Sequence, residues 1–367
     1  MKQGSLGMKE YIAIVIFMIG VKMTEDTPAT LFNNAKNAAW MIPIISASIF
    51  FIPFFLLLKT MSLFQDKNLF AVIQKLLGKY VGFIICLVIF IINSSAISFD
   101  TRTYANIIGT FYFTTTPQLV IYALLMFVCA YGAKKGLQHI GSVAWIVLLY
   151  TLVSIYLALI LSLQSSNIEG ILPILGPGIP EIVKTSLLKT ALFADLFILT
   201  IIIPNMNSIK EYKKGTWIAF LFVMLHLTIS ILILICLFDT SLDEVAYPFH
   251  TAIRFISFGS FLSNIETLFF PIWVLGAFIR FAAFLYINAM MFGHLFKIKN
   301  FEYLIPSLAT IYLFIGMIPE SPIDVAIDFK GRIQTIAGPT FATISILLWL
   351  TALLKGEFKH AKSKSHL

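Results

Sequence analysis

The chain predicts an all-α polytopic membrane protein, and three observations predict it. First, 59% of its residues are hydrophobic and only 12% are charged, a composition that calls for lipid rather than water as solvent. Second, apolar runs of about 17 to 25 residues, the length that crosses a hydrocarbon core as a helix, recur from one end to the other, whereas the alternating segments of a membrane barrel do not. Third, the charges sort by loop. Most of the 26 Lys and Arg, among them Lys59, Lys67, Lys75, Lys79, Lys134, Lys135, Lys210, Lys213, Lys214, Lys297 and Lys299, fall at the termini and in one set of loops. The other set holds Lys22, Lys36, Arg102, Lys184, Arg254, Lys330 and Arg332. By the positive-inside rule both termini are cytoplasmic. The net charge of +8 then reads as topology and attraction to anionic lipid, not as nucleic-acid binding.

The runs give about ten spans, centred near Lys22, Phe50, Phe90, Leu125, Leu149, Asp195, Val223, Arg280, Leu313 and Ile346. They leave no room for a separate soluble domain, so residues 1–367 form a single transmembrane, transporter-like domain. Its first half covers about 8–163, its second about 184–355, and a short basic cytoplasmic tail covers 355–367.

Span one begins as a membrane helix and is then interrupted. The apolar run 11–21 covers only about 16 Å as helix, roughly half a hydrocarbon core. Gly20, Lys22, Glu25, Asp26 and Pro28 break it before a second apolar piece at 29–32. Unwound backbone survives in a membrane only where it lines a cavity or packs in protein. Two other readings exist: an ordinary first helix whose charged end lies in the outer interface, and a cleaved signal peptide, against which no small-x-small site follows. Span two carries Pro43 and Pro53, which predict a kink. Residues 67–79 place Leu69, Phe70, Ile73 and Leu77 on one helical stripe, expected to lie on the membrane surface.

Span three turns polar at its outer end, where Asn93, Ser94, Ser95, Ser98, Asp100, Arg102 and Thr103 either line a cavity or meet the interface. A tight turn at 132–136 joins spans four and five. The loop ILPILGPGIPE at 171–181 is rich in Pro and Gly yet apolar, which suggests a packed cap over an opening. Span six, about 187–204, is the second interrupted one, with Lys189 near its start and Asp195 near its middle. Spans one and six occupy corresponding places in two five-helix halves, and an odd number of spans per half makes the halves an inverted repeat. Span eight carries Pro271, Trp273, Gly276 and Arg280, and a loop with Glu320, Asp324, Asp328, Lys330 and Arg332 precedes span ten.

At about 1.5 Å per residue, Lys22 lies about 16 Å into span one, Asp195 about 12 Å into span six and Arg280 about 21 Å into span eight. Ionised groups at that depth need a partner or a wet cavity. The expectation is that Asp195 pairs with Arg280, with Lys22 close by, and that the site receives a small zwitterion. Amides at the start of the second half of span one would attract its carboxylate, and freed carbonyls in span six its ammonium group. The alternatives are a purely structural Asp195–Arg280 pair, a Lys22 that snorkels outward, and packing roles for Trp273 and Phe284. The ligand site is placed between spans one, three, six and eight. It takes Ile19, Gly20, Val21 and Lys22 from the first break, Phe99 and Thr103 from span three, Ala194, Asp195 and Leu196 from the second break, and Trp273, Gly276, Arg280 and Phe284 from span eight. No nucleophile motif, phosphate loop or metal-ligand spacing occurs, so neither an enzyme nor a cofactor is expected. Cys86, Cys129 and Cys236 fall in spans as small packing residues.

Taken in order, IGVKMTEDTPATLF at 19–32, NAAWMIPI at 37–44, TTPQLVIY at 115–122, AYGAKKGLQHI at 130–140, ILPILGPGIP at 171–180, ALFADLFILTIIIP at 191–204 and FPIWVLGAFIRFAAFLY at 270–286 resemble the endospore germination permease family. These are the B subunits of spore germinant receptors, within the amino acid, polyamine and organocation transporter superfamily. The resemblance covers nearly the full length and implies a LeuT-type fold with discontinuous helices 1 and 6. It also implies a receptor subunit in the spore inner membrane that binds a small nutrient, typically an amino acid. The partners it implies are a larger membrane A subunit and a lipoprotein C subunit. The family often has Glu at the place of Asp195 and Lys near that of Arg280, and a more apolar version of residues 22–28. Three functions follow as expectations: a germinant-sensing subunit, a proton- or sodium-coupled amino-acid permease, and a structural subunit with a vestigial pocket.

Overall fold

A computed structural model describes residues 5–256 and 265–359, and among the described residues every extended element is helical. Helix α1 (Met8–Ile19) passes into a 3-10 turn at Gly20–Thr24 and stops at Glu25, whose backbone is extended (φ −101°, ψ −151°). The chain restarts as α2 (Thr27–Ala35) with Pro28 in the first turn, where its missing N–H is no loss. The expected interruption of the first apolar helix is therefore present. Helix α2 ends where Lys36 takes a φ of 46°, and a 3-10 turn (Lys36–Met41) leads into α3 (Ile42–Met61). Pro43 falls in the first turn of α3, so Pro53 alone of the two expected kink formers lies inside the helix and removes a backbone hydrogen bond there.

Helix α4 (Leu69–Leu77) is capped by Asn68, whose side chain accepts from the Ala71 N–H at 2.8 Å. Its apolar stripe was expected to face lipid, but Leu69, Phe70, Val72, Ile73 and Leu76 are buried in the protein. The helix folds back on the start of α5 (Lys79–Phe111), where Gly82 makes room: a Cβ there would stand 2.7 Å from the Gln74 Cα. Helices α6 (Gln118–Lys134) and α7 (Leu137–Ser162) form the expected hairpin, turned by Gly136 at φ 92°.

The Pro/Gly-rich loop is tied down by its backbone. The Asn37 amide donates to the Gly170 and Leu172 carbonyls, the latter at 3.0 Å. Its side chains correct the expected packed cap, because Leu172, Ile174, Leu175 and Ile179 are exposed. Then comes α8 (Ile179–Leu188), a 3-10 turn (Lys189–Phe193), the short α9 (Asp195–Leu199) and another 3-10 turn (Thr200–Asn205). The second interruption is thus two 3-10 stretches flanking five α-helical residues. The chain continues through α10 (Ile209–Phe238), α11 (Pro248–Phe255), α12 (Ile265–Phe296) and α13 (Ile305–Gly316). It ends with α14 (Pro322–Asp324), a π-helical stretch (Val325–Gly331) and α15 (Arg332–Leu354). Part of the loop before α12, 257–264, and most of the basic tail, 360–367, lie outside the described residues.

Among the described residues, seven helical stretches are long and apolar enough to cross a membrane, while Gln118–Lys134 and Phe301–Gly316 are apolar but shorter. The innermost element is α1, buried along nearly its whole length from Tyr11 to Ile19 and packed on α7, α10 and α12. A helix apolar on all sides belongs in such a place. A two-bond parallel bridge, Leu6 N–H to the Asn205 carbonyl at 2.8 Å and Asn207 N–H to the Leu6 carbonyl at 3.1 Å, ties its beginning to the end of the second interrupted span. Cys86, Cys129 and Cys236 are free and buried.

Close packing at the α5–α6–α13 junction rests on Gly316, where a Cβ would collide with the Tyr122 hydroxyl and stand 2.6 Å from the Ser98 carbonyl. At Gly132 a Cβ would meet only Ala282, at an ordinary 3.4 Å. Gly316→Ala is expected to destabilise the protein by about 1–3 kcal/mol through overpacking, and Gly132→Ala to leave it unchanged. Thermal unfolding followed with a thiol-reactive dye, which reports release of the buried cysteines, checks both.

Candidate functional site

The first break delivers three charged side chains, Lys22, Glu25 and Asp26, into the protein interior. All are buried, Glu25 completely. Asp100 and Tyr104 come from one face of α5, four residues apart. Arg280 comes from the middle of α12, Asp195 from the second break and Lys330 from the π-helical stretch. A charge withdrawn from water must be matched, and here four carboxylates meet three cations.

Arg280, fully buried, spreads its fork over three partners: Nη2 donates to Asp100 Oδ2 at 2.7 Å, and Nη1 donates to Glu25 Oε1 at 3.2 Å and to the Tyr104 hydroxyl at 3.0 Å. The rings of Tyr104, Phe281 and Phe284 lie 5.3 to 5.8 Å from its guanidinium carbon. Lys330 donates to Glu25 Oε2 at 2.6 Å and Asp26 Oδ1 at 2.5 Å and stands 3.6 Å from Asp100 Oδ1. Glu25 therefore bridges two cations, one oxygen to each. Lys22 lies apart from this cluster. Its Nζ is 2.7 Å from Asp195 Oδ2 without the alignment of a hydrogen bond, so the attraction is that of two charges, and its hydrogen bond goes to the Leu192 carbonyl at 3.0 Å. That ion pair joins the two interrupted segments directly.

The expected Asp195–Arg280 pair is thus replaced by Lys22–Asp195 and by Arg280 with Glu25 and Asp100. Depth along a span could be counted from sequence, but the direction in which each side chain points could not. Lys330 was expected in an outer loop and is 5% exposed. The π-helical stretch continues the helical path of α15 outward and turns this one cation inward. Asp100 is buried within the protein.

Of the site residues expected from sequence, Ile19, Gly20, Val21, Ala194 and Leu196 are buried beside the two breaks. Trp273 donates to Thr24 Oγ1 at 2.9 Å and stacks on Tyr104 at 5.1 Å with an interplanar angle of 2°. Phe284 lies against Arg280. Three others serve packing. Gly276 admits Phe17, to which a Cβ would come within 3.0 Å; Phe99 packs on Phe329 at 4.9 Å; and the Thr103 hydroxyl bonds back to the Phe99 carbonyl at 3.0 Å. Sequence reasoning named Glu25 and Asp26 only as interruptions of the first span and placed neither them nor Tyr104 and Lys330 in the site. Among the described residues no group of His, Cys, Asp and Glu is arranged to hold a metal ion.

Residues 8–325 match the family described as Spore germination protein. The chain is 23% identical over 329 residues to Spore germination protein KB of Bacillus subtilis (strain 168), covering 88% of this chain and 86% of that protein. It is 22% identical over 356 residues to Spore germination protein B2 of the same organism, covering 95% of each. Spore germination protein XB of Bacillus anthracis is 19% identical over 254 residues, 68% of this chain and 70% of that protein.

Removing one member of a buried pair leaves the other charge stranded, at a cost of about 3–5 kcal/mol, whereas removing both is close to neutral. Lys22→Met is therefore expected to lower thermal stability sharply, and Lys22→Met with Asp195→Leu to recover most of the loss. A double-mutant cycle on purified protein reads the coupling.

Proposed function

We propose, from the premise that this chain belongs to the spore germination protein family, that it is the membrane subunit of a germinant receptor and binds a small nutrient between its two interrupted spans. In this reading the helices make ten spans: Gln118–Lys134 and Phe301–Gly316 also cross, and the Thr27–Met61 stretch is divided, α2 completing the broken first span with α1 and α3 forming the second. The halves, about 8–163 and 184–355, form a LeuT-type inverted repeat with both termini cytoplasmic. The multi-pass protein then sits in the spore inner membrane with a membrane A subunit and a lipoprotein C subunit.

The observation that carries the proposal is the 2.7 Å Lys22–Asp195 pair. It is the charge contact between the two breaks and lies outside the cluster that Arg280 and Lys330 hold together. A zwitterion placed there meets both ends at once, its ammonium group against Asp195 and its carboxylate against Lys22. The net charge of the interior is unchanged and no charge is stranded. A sugar offers no such exchange, which favours an amino acid. Inserting a ligand separates the two broken segments, and that movement is what partner subunits would sense. Catalytic machinery forms no part of this reading.

An amino-acid permease would use the same pair, and uptake separates the two functions. Purified protein is expected to bind one or a few amino acids from a panel of labelled amino acids, nucleosides and sugars, and to lose that binding at least about tenfold in Lys22→Met and Asp195→Asn, the loss of one charge-assisted contact. Proteoliposomes of this chain alone are expected to show no concentrative uptake. Binding that ignores both substitutions overturns the site, and ion-coupled uptake replaces the receptor reading with the permease.

A further inference from the structure

Lys189 opens the 3-10 turn Lys189–Phe193 and is 9% exposed. Among the described residues no hydrogen bond or ion pair within 4 Å engages its ammonium group. Asp26 is already bound by Lys330. A buried ammonium group without a hydrogen-bond partner is costly; Asp26 acts on this one only through space, and it lines a cavity of about 600 Å³.

The walls of that cavity are mainly apolar, with a few polar groups and no acid. Thr30, Asn33 and Asn34 come from α2, and Ala326, Ile327, Gly331, Arg332, Thr335 and Ile336 close the other side. Arg332 is exposed and paired with Asp328 at 2.9 Å, which leaves Lys189 as the uncommitted charge. The hydroxyls of Thr30 and Thr335 and the amide of Asn34 donate to backbone carbonyls of their own helices, at 3.0, 2.9 and 2.7 Å. The Asn33 amide, on the exposed face of α2, remains to orient a guest. From this geometry we infer a second binding site, separate from the Lys22–Asp195 pair, that takes a small organic carboxylate with Lys189 as its counter-charge and Asn33 as a hydrogen-bond donor. One uncommitted cation suits a monoanion better than a phosphate dianion, and the cavity is far larger than a halide needs.

The probe is trifluoroacetate, followed by fluorine NMR line broadening with the purified full chain in lipid nanodiscs. The inference predicts saturable broadening that acetate reverses and that chloride, phosphate and trimethylammonium reverse at least about tenfold less well. Lys189→Gln should weaken binding about tenfold or more, and Lys189→Arg should retain it. Asn33→Leu, a change at an exposed position that keeps the fold, should weaken binding even if Lys189→Gln proves unstable. An absence of broadening, binding indifferent to Lys189→Gln and Asn33→Leu, or equal displacement by chloride or phosphate overturns the inference. Lys22→Met combined with Asp195→Leu, which recovers the fold, should leave trifluoroacetate binding intact, so this site and the nutrient site stand or fall separately.

Discussion

A carboxylate that cannot reach water must reach a cation, and Glu25, with its side chain 1% exposed, reaches two. Its oxygens are divided between Arg280 of α12 and Lys330 of the π-helical stretch, and both cations also touch Asp100 of α5. Three parts of the chain far apart in sequence are thereby fixed around the first break. Two charges attract strongly only while water is kept out, and the rings of Tyr104, Trp273, Phe281 and Phe284 supply that exclusion. The irregular backbone follows from the same constraint. An α-helix running straight through Gly20–Thr24 or Val325–Gly331 would aim Glu25 and Lys330 along fixed directions, whereas 3-10 and π turns re-aim them at each other.

Two kinds of electrostatic contact coexist in this interior. The Arg280–Lys330 cluster is multiply bonded, each cation serving at least two acids. The Lys22–Asp195 pair is single and unaligned, and it joins the two broken spans. A ligand competes far more readily with the second than with the first. On the proposed function, the cluster would hold the scaffold and the pair would be the part that a ligand opens.

Much of this was legible in the sequence. The helical membrane class, the break near Lys22 and the break around Asp195 could be read because charges, Gly and Pro inside apolar runs leave a mark in one dimension. The partners could not, because a run fixes depth and leaves azimuth open, so Asp195 was matched to Arg280 by height when Lys22 was nearer. Lys330 was hidden for a different reason. It sits among Glu320, Asp324, Asp328 and Arg332, where hydropathy reads as loop, and only the π-helical turn separates the one buried cation from its solvated neighbours. The stripe on α4 was read correctly as amphipathic but assigned to lipid. That pattern shows an apolar face needs cover without saying whether lipid or protein supplies it.

Hydrogen–deuterium exchange of the irregular segments, compared between the native chain and Lys330→Met, tests the role of the cluster most directly, because exchange reports local opening of backbone. Slow exchange at Gly20–Thr24 and Val325–Gly331 in the native chain, faster in Lys330→Met at both segments with α7 unchanged, is the predicted result. Exchange at the two segments that is indifferent to Lys330→Met, or a rise spread evenly over every helix, would contradict it.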